Sequence, residues 1–210
     1  MCIRDRAHVT DLSGFAEPAH LAVNAITNKI YVANHRPNQG VIVIDGATHE
    51  RRQVVAGLLD AYGVAVDASR NLVYATAIAQ GRISVIDGAT NEPLGHVDLH
   101  HDDGKPVWLR VIAVNPDVGA EGHLWVVISS RDGDNERDQL LLIPNGWPTL
   151  GTPVPLEVAR YPQDGIALDA DRDRIWLTSV ESGLVSVVQD GEPVCSIPLS
   201  TTVYRLRRFQ

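Results

Sequence analysis

The chain has 210 residues, 44% of them hydrophobic and 21% charged, so a sizeable core can be buried and disorder is not the default. Its formal net charge of −8 argues against a nucleic-acid binder and against adhesion to an anionic membrane. No apolar stretch approaches the roughly 20 residues of a spanning helix, so no membrane span is expected.

In chain order, Met-Cys-Ile-Arg-Asp-Arg at 1–6 resembles the in-frame translation of a sequencing-library adaptor and is expected to be a cloning artefact. Met1 is the only methionine. Without this scar Cys195 would stand alone, which precludes an internal disulfide. Ala7–Leu12 echoes Gly95–Leu99 and is expected to be the outer strand of a further blade.

A repeat then begins. Val23-Asn24 … Asn28-Lys29-Ile30-Tyr31-Val32-Ala33 returns as Val66-Asp67 … Asn71-Leu72-Val73-Tyr74-Ala75-Thr76. It returns again as Val114-Asn115 … His123-Leu124-Trp125-Val126, and as Leu168-Asp169 … Asp173-Arg174-Ile175-Trp176-Leu177-Thr178. A second apolar run follows each copy (Val41–Ile44, Ile83–Ile86, Leu140–Ile143, Leu184–Val188), and a weaker third run closes the unit.

The runs are short, rich in β-branched residues and bounded by Asn, Asp and Gly, so they predict strands. Val-Ile-Asp-Gly-Ala-Thr occurs at both 43–48 and 85–90, and its Asp-Gly predicts a tight hairpin turn. Four strands in a unit of about 43 residues predict an all-β chain, a β-propeller of four consecutive four-stranded antiparallel blades. A sandwich would lack the aligned motif, and β-helix coils are shorter. The expected blades are 19–58, 61–99, 107–158 and 163–199, followed by an irregular tail at 201–210. The stray outer strand favours an incomplete arc of a larger ring over a closed ring of four.

Tyr31-Val32-Ala33-Asn34 with Val43–Thr48, and Tyr74-Ala75-Thr76 with Val85–Glu92, resemble the YVTN repeat of bacterial and archaeal propellers. Blade four is closer to the related NHL and lyase- or lactonase-like propellers. The resemblance covers 20–100 well and weakens over blade three. It implies a ring of six to eight blades, commonly exported, and hence an extracytoplasmic protein. It implies no single activity.

Tyr31, Tyr74, Trp125 and Trp176 hold one repeated strand position and are expected to pack between blades. Two loops are longer than their counterparts, at 100–105 and 129–138, and blade connectivity puts both on one face. That face is the expected binding face, with His35, Arg36, His100, His101, Asp102, Asp103, Asp132, Asp134, Glu136 and Glu181 as its candidates. No cofactor is expected, although the imidazoles and carboxylates leave a divalent metal as an alternative. The 131–138 loop fails the calcium-loop pattern, since Arg137 stands where glycine belongs and Ile143 where the bidentate acid belongs. Cys195 is expected to be an inert small hydrophobe.

No catalytic motif occurs. The expected function is a non-catalytic binding or scaffold propeller for an unidentified small molecule or protein. The alternative is a lactonase- or lyase-like enzyme with its polar site at the central channel, where Glu17, His20 and Asp164 are the candidates.

Overall fold

In the computed structural model, residues 10–36, 40–55, 58–100, 104–129, 139–156, 165–179, 183–189 and 192–198 are described. They form four separate antiparallel sheets of four strands, each in sequential order. Blade one holds β1 (Pro18–Asn24), β2 (Lys29–Asn34), β3 (Val41–Asp45) and β4 (Arg51–Val55). Blade two holds β5 (Ala61–Asp67), β6 (Leu72–Ala77), β7 (Arg82–Asp87) and β8 (Pro93–Asp98). Blade three holds β9 (Trp108–Asn115), β10 (His123–Ser129), β11 (Gln139–Pro144) and β12 (Val154–Leu156). Blade four holds β13 (Ile166–Asp169), β14 (Arg174–Ser179), β15 (Leu184–Gln189) and β16 (Glu192–Pro198). Strands β1, β5, β9 and β13 touch in succession and are the inner strands of the propeller.

Each sheet carries one repeated row across its strands. Ala22 pairs with Tyr31 and Tyr31 with Val43; Ala65, Tyr74 and Val85 repeat this. Ala113, Trp125 and Leu142, then Ala167, Trp176 and Val187, complete the set. A small residue sits near the axis where blades crowd, and an aromatic sits beside it where they diverge. Tyr31, Tyr74 and Trp125 are fully buried, each beneath the following blade. Such burial stabilises on the order of 3 kcal/mol per ring.

The Asp-Gly repeats differ from the expected two-residue turn. Asp45 Oδ1 accepts from the N–H groups of Ala47 and Thr48, and Thr48 Oγ1 from that of Glu50. Asp87 and Thr90 repeat the arrangement. The left-handed residue is the fourth one of the loop, His49 or Asn91, rather than the glycine. Gly46 and Gly88 are needed for a different reason. Each N–H donates to a carbonyl of the preceding turn, at Asn28 or Asn71, and a Cβ would strike that asparagine. The motif is turn architecture.

Thr10–Leu12 pair with no strand among the described residues. The segment instead leads to Phe15, which packs on Val32, Ile42 and Ile44 at the outward face of blade one. Arg51 donates to the Gly14 carbonyl at 2.6 Å alongside. Val32 is therefore buried, and the exposed large hydrophobic residues of β1 are Leu21 and Val23. Cys195 is exposed on β16 and takes no part in the core.

Candidate functional site at the channel mouth

The inner strands all begin at one end of the sheets, the end at which the second strands finish and the third strands start. In blade one the His35 N–H donates to the Glu17 carbonyl at 2.7 Å. In blade two the Leu99 N–H donates to the Gly81 carbonyl at 2.7 Å, and Val107 returns to Leu99 at 3.1 Å. In blade four Thr178 donates to the Gly165 carbonyl at 3.1 Å. These bonds tie together the connections at this end of blades one, two and four, which we call the channel mouth.

Local sequence explains how the rim is held. Asn34, fully buried at the end of β2, accepts from the N–H groups of Ala16 and Glu17 through its side-chain oxygen, at 3.1 and 3.0 Å. That clamp delivers Glu17 and His20 to the mouth beside His35 and Arg36. In blade two, Gly63 lets β5 approach β9, because a Cβ there would come within 2.5 Å of the Arg110 carbonyl. The close approach carries the preceding residue, Tyr62, over the channel.

Three rings meet as a result. His20 Nδ1 lies 2.9 Å from the Tyr62 carbonyl, and the two ring centroids are 5.1 Å apart. The ring of His35 meets Tyr62 edge-on, at 5.4 Å and 89°. Tyr62 also packs against the core shared by blades three and four, so one side chain ties blade one to that core. Beside the rings, Arg36 and Glu17 form an ion pair at 2.7 Å with both side chains about half exposed. The Nδ1 atom of His35 is buried without a hydrogen-bond partner among the described residues. An unsatisfied buried polar atom costs about 1–3 kcal/mol, a cost more often tolerated at a site than in plain core.

Of the residues expected at the binding face, His35 and Arg36 stand at this mouth. His100 lies farther out, exposed, in an isolated bridge to Pro106. His101, Asp102, Asp103, Asp132, Asp134, Glu136 and Glu181 lie outside the described residues, as does Asp164. Among the described residues, no group of three or more His, Cys, Asp or Glu side chains is arranged to hold a metal ion. Tyr62 was the residue that sequence reasoning missed. The signal available was the glycine directly after it, at the start of an inner strand.

Four radial antiparallel blades around a polar, aromatic mouth define a β-propeller chain. No known protein-family profile matches it. Among curated proteins it is similar to the uncharacterized protein YncE of Salmonella typhimurium, 24% identical over 174 residues, covering 82% of this chain and 45% of that protein. The YncE of Salmonella typhi matches equally. The chain thus spans about half the length of the curated relatives it matches.

Among solved structures it is similar to hydrazine synthase of Kuenenia stuttgartiensis, with a TM-score of 0.67 and 17% identity over 93% of this chain and 52% of that one. The dihydro-heme d1 dehydrogenase NirN gives 0.66 and 17%, over 90% and 38%. An auxiliary nutrient binding protein of Bacteroides thetaiotaomicron gives 0.65 and 12%, over 88% and 48%. At such identities the shared property is the fold, and enzymes and a binding protein share it alike. No helix among the described residues is long and apolar enough to cross a membrane.

Proposed function

We propose that the chain belongs to a non-catalytic binding propeller of the YVTN type, extracytoplasmic in full-length form, that seats a small molecule or peptide at the channel mouth. The observation carrying this reading is the convergence of His20 and His35 on Tyr62, three rings from two blades in mutual contact. Rigid rings with polar edges give contact area at low entropic cost. One carboxylate at the described mouth, Glu17, is engaged by Arg36 as a rim group rather than poised as a base.

The test is a thermal-shift screen of sugars, dipeptides and small carboxylates, followed on the best ligand by NMR of the histidine ring carbons. Binding should move the His20 and His35 signals, and Tyr62→Ala should weaken it at least tenfold while the melting transition stays cooperative. Ligands that bind equally well to Tyr62→Ala would place the site elsewhere, and turnover of any ligand would favour the enzyme reading.

A further inference from the structure

The ion pair between Arg36 and Glu17 stands on a backbone that does not depend on it. The His35 N–H donates to the Glu17 carbonyl at 2.7 Å, and the Arg36 N–H to the Asn34 carbonyl at 2.9 Å. Asn34 Oδ1 accepts in turn from the Glu17 N–H at 3.0 Å. Both main chains are therefore fixed whatever the two side chains do. The side chains approach to 2.7 Å, Nη2 to Oε1, and 57% of one and 50% of the other is exposed. A pair this open to water is worth little, so its partners exchange easily. A guanidinium also presents five N–H donors in a planar fork, which suits two carboxylate oxygens at once.

The neighbouring ring asks for the same kind of partner. His35 Nδ1 is buried with no hydrogen-bond partner among the described residues, and when it carries a proton it needs an oxygen acceptor. His20 is already engaged. Its Nδ1 faces the Tyr62 carbonyl at 2.9 Å, and a carbonyl only accepts, so that nitrogen carries the proton and the ring positions Tyr62. Consecutive residues, His35 and Arg36, thus bring an unsatisfied imidazole nitrogen and an accessible guanidinium to the edge of an aromatic cluster.

We propose that the channel mouth recognises an organic carboxylate with a flat apolar body, which takes the Arg36 fork from Glu17 and lays its body against Tyr62 and the two imidazoles. This names the ligand class of the site proposed above and rests on that reading. Glu17 becomes a built-in competitor for the guanidinium. A second carboxylate beside an occupied Arg36 would meet like-charge repulsion, so the ligand replaces Glu17 rather than joining it. A neutral amide of the same shape keeps the ring contacts and loses the charge-assisted bonds, which are about twice as strong as neutral ones.

The experiment titrates benzoate, phenylacetate and 3-phenylpropionate, each beside its amide, into the full chain at neutral pH, with NMR of the histidine ring carbons as the readout. The best acid should bind at least tenfold more tightly than its amide, and added salt should erode that margin. Arg36→Leu should bring the acid down to the level of its amide, and Arg36→Lys should recover part of the margin, because an ammonium keeps the charge without the fork. Glu17→Gln should widen the acid-over-amide margin by about threefold, the worth of an exposed pair. Acid and amide of equal affinity, both weakened by Tyr62→Ala, would overturn the carboxylate class and leave the mouth as a binding site. An acid preference that survives Arg36→Leu would overturn the anchor, and one that Glu17→Gln leaves unchanged would overturn the exchange. Binding of no acid or amide up to about 10 mM would overturn the carboxylate class, and only failure of the sugars and dipeptides as well would sink the mouth itself.

Discussion

The hydroxyl of Tyr74 in blade two accepts a hydrogen bond from the backbone N–H of Trp147 in blade three, at 3.1 Å. Burial of the ring pushes its phenol above the ordinary tyrosine range, and so it does for Tyr31. One side chain thus supplies both apolar area and a polar tie across a blade interface. Tyr74→Phe should keep the packing and lose the tie, lowering stability by about 1 kcal/mol in urea unfolding. Tyr31 and Tyr74 should also ionise later than exposed tyrosines. Their raised phenols mean that stability holds below the ordinary tyrosine value and falls as pH rises beyond it. A spectrophotometric titration showing all five tyrosines ionising together below the unfolding pH would contradict this.

Arg70 is the bridge between a buried carboxylate and two carbonyls of the next blade. Arg70→Ala would strand Asp67 and release the blade-three turn, an expected loss of about 2–3 kcal/mol. Arg70→Lys should recover part of this only, because an ammonium lacks the planar fork. A lysine variant as stable as the parent would argue that a positive charge on a long stem suffices and that the planar fork contributes nothing.

Arg82 and Asp98 join neighbouring strands through two bonds of 2.6 and 2.8 Å, and the Arg82 hydrogen bonds hold the Asp98 carboxyl below its usual range. A lowered carboxyl stabilises the fold above the ordinary carboxylate range, and that contribution fades as pH falls through the lowered value. Both groups are about one-third exposed, so solvent screening limits the effect to under about 1 kcal/mol. Asp98→Asn should show this small deficit at neutral pH and converge on the parent in acid. A deficit that stays constant down to strong acid would point to lost packing instead.

Gly81 has a left-handed φ of 62° at the turn before β7, and a Cβ there would collide with the Leu99 carbonyl and come within 3.0 Å of the Val107 nitrogen. Gly81→Ala therefore combines backbone strain with a clash against the connection between blades two and three. The expected cost is about 2 kcal/mol, visible as a lower urea midpoint. Gly104, also left-handed but with open space around it, should lose less on the same change.

The strands, their order within each blade and the repeated aromatic position were legible in the sequence. They follow from local alternation and from a repeat, and every copy restates the same instruction. Tyr31, Tyr74 and Trp125 are buried as their repeated position implied. Tertiary structure alone decided what meets across blades. Tyr62 joins His20 and His35 because Gly63 permits a close approach of β5 to β9, a distance that neither strand encodes by itself. Thr76 and Arg70 become grips only when blade three presents carbonyls opposite them. Periodicity is a property of one strand read along its length. A hydrogen bond between blades depends on the packing of two sheets, whose separation is set by the side chains between them.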